Sequence, residues 1–275
     1  MAIILAVLAA ISISSIVLEA PSHLVTTPAH DLNIPASYLN WEDSCTTAQP
    51  TDYSSSCIKS SLFDINYARK AESLPPLRLP KNFLKTSPAA QLEYLVNRER
   101  QVRGLAPIKA TSKTLTRSAS LAAKQATDPS IPKGYVGGSD WAGNFPNTLV
   151  VDFEWMYEDG FRHTNAGGGS NVDCHYPGAS GCWGHRKVIL EQASAPTYFG
   201  ASFTTDLATR FRDLYLSSFA IVLAGPPNLA GPETVLPTAR LLLTLSLAGL
   251  AYLGIQSLIA GAWRYYRRWR ARGYS

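Results

Sequence analysis

The stretch GCWGHRKVIL, residues 181–190, places a histidine between a cysteine–tryptophan pair and an apolar run. His185 could hold a metal, act as a general base, or link elements of the fold. Its partners in a metal site would be four upstream N or O donors: His163, His175, Glu158 and Asp173. A general base needs a nucleophile within hydrogen-bond reach, and only Ser180 lies close in sequence, without a Gly-x-Ser-x-Gly elbow anywhere in the chain. The residue types therefore favour a structural role for His185, with metal binding as the main alternative.

Four cysteines form two near pairs, with eleven and seven residues between their members: Cys45 with Cys57, and Cys174 with Cys182. An even count in an exported domain indicates disulfides, and of the three connectivities we expect the two local ones. The rival is a zinc cluster built from Cys174, His175, Cys182 and His185. An oxidising compartment opposes such a cluster because its thiols must stay reduced.

The charge of the chain is concentrated at its C-terminus. The net charge is +5, and residues 264–275 hold five arginines and no acid, so the remaining residues sum to zero. Without a basic face elsewhere, nucleic-acid binding is excluded as a function class. Residues 241–263 are 23 positions without a charge, and a helix of that length reaches about 34 Å, enough to cross a bilayer. We predict a transmembrane helix with a basic cytoplasmic tail and the preceding domain outside the cell.

The other end of the chain is also apolar. Residues 1–20 are predicted to be a signal peptide or an N-terminal signal anchor, and the sequence leaves cleavage open. Residues 21–87 are rich in Ser, Thr and Pro, and we predict a loosely ordered arm that carries the first cysteine pair. A linker at 226–240 precedes the predicted span.

Regular structure is predicted between these ends. A helix should begin at Ser87-Pro88 and end at Gly104, because serine caps helices and proline suits the first helical position. Further helices are predicted from Ser112 to Ala126 and from Asn147 to Glu158. The segments 198–203 and 214–225 are apolar, aromatic and β-branched, which is typical of strands. Helices followed by strands predict an α+β domain.

Three segments together resemble the CAP superfamily (cysteine-rich secretory, antigen 5 and pathogenesis-related proteins) in its bacterial form. They are YLVNRERQVRGLAPI at 94–108, Trp155 in FEWMYEDG with Glu158 three residues on, and GHRKVIL followed by FGASF. The resemblance covers residues 88–225. It implies a three-layer α-β-α sandwich with a small antiparallel sheet, and a hydrogen bond from His185 to Glu158.

The chain also departs from that family. Many members carry a histidine after the second helix and then Gly-Glu-Asn, whereas this chain has no histidine between His30 and His163. Where the glutamate would stand, WAGN carries Gly143. Two of four cleft ligands are therefore missing. An insert at 159–182, closed by the second cysteine pair, is predicted to form a surface loop over the cleft.

These features predict a membrane-anchored, extracytoplasmic domain that acts as a noncatalytic binding module at the cell envelope. Its partner would be a lipid, an envelope polymer or another protein, and it would need no cofactor. The predicted cleft residues are Trp155, Trp183, His175 and His163. The alternative is a metal-dependent envelope hydrolase, with zinc as the candidate metal, that uses His185, Glu158 and an insert histidine such as His175. A third hypothesis is a structural surface protein that presents the insert.

Overall fold

A computed structural model of the chain describes four ranges: residues 26–28, 40–161, 173–190 and 196–226. None of the helices in these ranges is long and apolar enough to cross a membrane. The predicted span at 241–263, its basic tail and the N-terminal segment at 1–20 lie outside the described residues, as does the predicted linker beyond residue 226.

The described ranges contain six α-helices and a four-stranded sheet, which confirms the α+β prediction. The helices are α1 Asn40–Ser44, α2 Ser55–Ala71, α3 Pro88–Val102, α4 Lys113–Gln125, α5 Thr148–Tyr157 and α6 Gly184–Ile189. The strands are β1 Ala110–Thr111, β2 Val136–Gly143, β3 Tyr198–Thr204 and β4 Ser218–Gly225.

The three predicted helices begin where the sequence indicates. In each, a side-chain oxygen just before the first turn accepts a backbone N–H: Ser87 from Ala90, Ser112 from Leu115, and Asn147 from Leu149 and Val150. These bonds satisfy backbone donors that have no partner within the helix. The predicted and observed helices agree to within two residues at either end.

The strand order is β1-β3-β4-β2, and the sheet is mixed. The pair β3–β4 is antiparallel, and β4 also pairs in antiparallel with β2, a strand that the sequence did not predict. Strand β1 pairs with β3 in parallel over two residues, which differs from the antiparallel sheet that the resemblance implied. The parallel pair arises because three helices and β2 separate β1 from β3 along the chain, which gives room for a crossover connection.

The sheet separates two apolar cores. Strand β4 is buried along its whole length, and its alternate residues enter different cores. Phe219, Ile221 and Leu223 join the larger core with α2, α3, α5 and α6, whereas the residues between them join a smaller core under α4. A Cβ on Gly200 would lie 2.3 Å from the Leu115 carbonyl carbon, so this glycine lets α4 approach β3. Helices therefore cover both faces.

The segment predicted as a loosely ordered arm is, over residues 40–87, an integral layer of the domain. Helix α2 buries Ile58, Ile65 and Ala68 in the larger core. The Cys45–Cys57 disulfide joins α1 to α2, and Cys174–Cys182 forms the second, so both predicted local pairs are confirmed. These three apolar residues are spaced seven and three positions apart, so they share one helix face. The serines and charged residues between them obscure this pattern in the sequence.

The side chains of Asn97 and Arg100 on α3 bind the backbone of the turn that follows this helix. The Asn97 side chain accepts from the Ile108 N–H at 2.7 Å and donates to the Ile108 carbonyl at 3.1 Å. Arg100 donates to the carbonyls of Ala106 and Ile189 at 3.0 and 2.8 Å. The second of these bonds ties α3 to the end of α6, the helix that carries His185.

Candidate functional site

The start of α6 is set by Asp159, two residues beyond the end of α5. The Asp159 carbonyl accepts from the Trp183 N–H at 2.7 Å, and its carboxylate accepts from the Arg186 N–H at 3.2 Å. Both bonds satisfy donors at the first turn of the helix. This arrangement sends the adjacent side chains of His185 and Arg186 into different surroundings.

His185 is paired with the same aspartate. Its Nδ1 lies 2.6 Å from Oδ1 of Asp159, which is fully buried, while 25% of the His185 side chain remains exposed. The carboxylate predicted for this contact was that of Glu158, the preceding residue. Helix α5 ends at Tyr157, and Glu158 is itself buried at this helix end. The residue that reaches His185 is thus one position further along the chain.

The surroundings of His185 favour its protonated form. Burial acts to lower its pKa, but the hydrogen bond to Asp159 and the charges of Asp140, Asp159 and Asp128 raise the pKa to about 9. At neutral pH the ring is therefore an imidazolium, whose two nitrogens are both donors. Nδ1 donates to Asp159, and Nε2 has no hydrogen-bond partner among the described residues.

A cleft of about 310 Å³ opens beside His185 at the edge strand β2. Four aromatic side chains line it: Trp141, Phe145, Trp155 and Tyr215. Four ionisable side chains also line it: Asp128, Glu154, Asp173 and His185. The volume lies at the lower end of the range of about 300–1,000 Å³ that is usual for small-molecule sites.

Two of the aromatic walls are anchored by their indole N–H groups. Trp155 donates to the Trp141 carbonyl at 3.3 Å, and its ring lies nearly parallel to that of His185, with the ring centroids 6.4 Å apart. Trp141 donates to the Ser218 hydroxyl at 2.8 Å. Both rings are thereby held in place before any ligand arrives.

Tyr215 is held at the cleft by Asn144. The Asn144 amide donates to the Leu214 carbonyl at 2.8 Å and accepts from the Leu216 N–H at 2.7 Å. These two bonds fix the backbone on both sides of Tyr215. Asn144 has a φ of 65°, a left-handed conformation that asparagine tolerates better than most residues. The Tyr215 ring then meets Trp141 edge to face, with centroids 5.1 Å apart.

Gly143 is required by this pair of rings. A Cβ at this position would lie 2.7 Å from ring carbons of both Trp141 and Tyr215. Gly143 is also the position where the CAP-like pattern would carry a glutamate. The space that a glutamate side chain would enter is occupied by aromatic rings.

Asp140 lies behind the cleft on β2, buried, and its Oδ2 has no hydrogen-bond partner among the described residues. Burial raises its pKa well above the ordinary value, the His185 charge opposes this, and Asp159 and Asp128 add to it.

Two other predicted cleft residues lie away from the cleft. Trp183 is buried with its ring against Gly160, where a Cβ would lie 2.4 Å from it, and it does not line the cleft. His175 is exposed on the insert and does not line the cleft either. His163 lies outside the described residues. Of the three predicted cleft residues that the structure describes, Trp155 alone lines the cleft.

The predicted zinc ligands that the structure describes do not converge. Within the described residues, the only three metal-ligating atoms that lie within 4.8 Å of one another belong to Cys45, Asp52 and Cys57. The two sulfurs of that set are bonded to each other, which leaves no thiolate for a metal. The set of His185, Glu158 and His175 is not formed. The rival cysteine–histidine cluster is also excluded, because Cys174 and Cys182 form a disulfide.

A second group of ionisable residues lies in the larger core and is almost closed to solvent, with 12% of the Glu72 side chain exposed. Its members are joined by ion pairs and one hydroxyl bond: Glu99 with Arg69 and Arg103, Glu72 with Arg103 and Arg186, and Tyr157 to Glu99 at 2.7 Å. We refer to these six residues as the sealed cluster. Burial acts to raise the pKa of Glu99, but the Arg69 and Arg103 charges hold it below its ordinary value. This cluster joins α2, α3, α5 and α6.

Comparison of the chain with protein-family models, with curated proteins and with solved structures found no match in any of the three. The site's own chemistry therefore has to carry the functional conclusion. Sequence patterns single out His185 and Trp155, but not Trp141, Tyr215 or Asp159. The available signal for Trp141 was its place in WAGN, two residues before Gly143.

Proposed function

We propose that this chain is a noncatalytic binding module, held outside the cell by a membrane span at 241–263, with the cleft beside His185 as its ligand site. The observation that carries the proposal is the aromatic pair of Trp141 and Tyr215 packed against Gly143. A small pocket with apolar walls and a few convergent polar groups is the usual form of a ligand site.

The state of His185 supports binding rather than catalysis. A general base must accept a proton near the working pH. With a pKa of about 9, His185 already holds both ring protons at neutral pH and is not available there as a general base. As an imidazolium it can donate a charge-assisted hydrogen bond to a ligand. The hydrolase hypothesis also lacks a converging metal-ligand set among the described residues.

We place the domain with the CAP superfamily on the resemblance over residues 88–225. A four-stranded sheet with helices on both faces supports this placement. Aromatic rings occupy the space beside Gly143. This packing supports a cleft that binds an organic ligand and not a metal ion.

The test compares two histidines in the full-length chain. Binding of soluble oligosaccharides, phospholipid vesicles and free fatty acids is measured for wild type, His185→Ala and His175→Ala. We expect at least one probe class to bind wild type and His175→Ala equally. The same probe should bind His185→Ala about tenfold more weakly, since a hydrogen bond from a charged donor is lost.

Two results would overturn the proposal. One is that no probe class binds the wild-type chain. The other is that His185→Ala and His175→Ala bind every probe alike, which would place the ligand away from the cleft.

A further inference from the structure

We infer that the ligand of the cleft is a saccharide, an inference that rests on the proposed binding function. It follows from the combination of groups that line the cleft: aromatic ring faces, an imidazolium donor and carboxylate acceptors. Each group has a counterpart on a sugar ring, which presents an apolar C–H surface together with hydroxyl groups.

The aromatic walls suit the C–H surface of a sugar. Trp141 and Tyr215 meet at 86°, so together they form a corner rather than one flat platform. Aromatic faces carry negative charge density and attract weakly positive C–H groups, and the packing also removes apolar area from water. Neither indole N–H is needed for this contact, because both are already bonded to the protein.

The polar groups suit the hydroxyls. A hydroxyl both donates and accepts, so it can accept from His185 Nε2 and donate to a carboxylate such as that of Asp128. A carboxylate has about four acceptor positions, so it can bind a hydroxyl while it keeps other partners. Asp128 is exposed at the mouth of the cleft, where a hydroxyl can reach it.

Other ligand classes match fewer of these groups. An acyl chain would offer no hydrogen-bond partner to His185 Nε2 or to the Asp128 carboxylate, and covering these groups carries a desolvation penalty. An organic cation would match the rings and the acids but would be repelled by the His185 charge. A saccharide offers partners to the aromatic faces, to His185 Nε2 and to the Asp128 carboxylate together.

The experiment records saturation-transfer NMR on the full-length chain with three probes: short neutral oligosaccharides, phosphatidylglycerol vesicles and a quaternary ammonium salt. Transfer to the ring C–H protons of an oligosaccharide is expected for wild type. The variant Tyr215→Ala should weaken that binding about tenfold, since one stacking wall is lost. The control Tyr67→Ala removes an equally large exposed tyrosine on α2, outside the cleft, and should leave binding unchanged.

A second variant tests the placement of Tyr215 without removing it. Asn144→Gly keeps the left-handed backbone but loses both side-chain bonds to the 214–216 segment. We expect it to weaken oligosaccharide binding by a factor between those of Tyr67→Ala and Tyr215→Ala.

The outcomes separate this inference from the proposed function. If vesicles or the ammonium salt bind in a Tyr215-dependent way and no oligosaccharide does, the cleft binds ligands but the saccharide inference is wrong. If no probe gives transfer to wild type, both are wrong. If an oligosaccharide binds Tyr215→Ala and Tyr67→Ala equally, the saccharide lies outside the cleft and the inference fails.

Discussion

His185 and Arg186 are neighbours on α6, yet their side chains serve two different electrostatic regions. Arg186 enters the sealed cluster, where it pairs with Glu72 and donates to the Met156 carbonyl at 2.7 Å. His185 enters the cleft, where one ring nitrogen is bonded to Asp159 and the other has no partner among the described residues. Both regions contain several charges. The cleft differs from the sealed cluster because it is open to solvent and because His185 Nε2 is available to a ligand.

This difference shows how a structural charge group can be told from a candidate site. In the sealed cluster each glutamate forms ion pairs with two arginines, so the charges neutralise one another and join four helices. In the cleft, donors and acceptors line an open volume beside aromatic walls. An abundance of charge alone would have pointed to the wrong region.

The largest expected effect is that of Glu99→Gln in the sealed cluster. The amide cannot balance Arg69 and Arg103, and removal of one partner from a buried pair typically costs about 3–5 kcal/mol. The free energy of unfolding in urea, followed by tryptophan fluorescence, measures the loss. A loss below about 1 kcal/mol would mean that the cluster does not hold the helices together.

Asp152→Asn is the matched control in the same core. Asp152 is as buried as Glu99, but neither of its carboxylate oxygens has a hydrogen-bond partner among the described residues. Burial and the Glu99 charge raise its pKa well above the ordinary value, against Arg69 and Arg103. The folded state then keeps a proton that the unfolded state loses above about pH 4. Asp152→Asn should therefore lower the free energy of unfolding by less than about 1 kcal/mol. The stability of this variant relative to wild type should improve as pH rises from 4.

A smaller effect than that of Glu99→Gln is expected from the same acid-to-amide change at the cleft, Asp159→Asn. The amide oxygen can still accept from the Arg186 N–H, and water reaches the partly exposed His185. We expect a loss of about 1.5–3 kcal/mol at neutral pH, the usual contribution of a hydrogen bond to a charged group. Because the His185 pKa is raised, this contribution is present below pH 6.5 and is lost as pH rises through about 9. An unfolding free-energy difference that stays constant from pH 6 to pH 10 would contradict the pairing.

The sequence predicts most of the elements that have local signals. The caps at Ser87, Ser112 and Asn147 mark three helix starts because a cap bonds to backbone only two or three residues away. Helix α2 was missed because its buried positions are few and lie among serines and charged residues. Strand β2, VGGSDWAG, was missed because glycine has low strand propensity, although its pairing with β4 gives the sheet its edge.

The site is harder to predict because it depends on contacts between distant segments. Asp159 rather than its neighbour Glu158 meets His185, and that depends on where α5 ends and how the chain turns into the insert. Tyr215 reaches the cleft through Asn144, 71 positions earlier in the chain, and no local pattern links the two. The sealed cluster likewise joins residues from Arg69 to Arg186, whose pairing has no periodic signal.

The protonation state of His185 tests most directly whether the cleft binds or catalyses. NMR titration of the histidine side chains in the full-length chain, with His185 assigned by its loss in His185→Ala, gives the pKa. The predicted value is about 9, and it should fall in Asp159→Asn. A pKa at or below 6.5 in wild type would make His185 a neutral imidazole at neutral pH, able to act as a base or a metal ligand, and would contradict the binding role proposed for it.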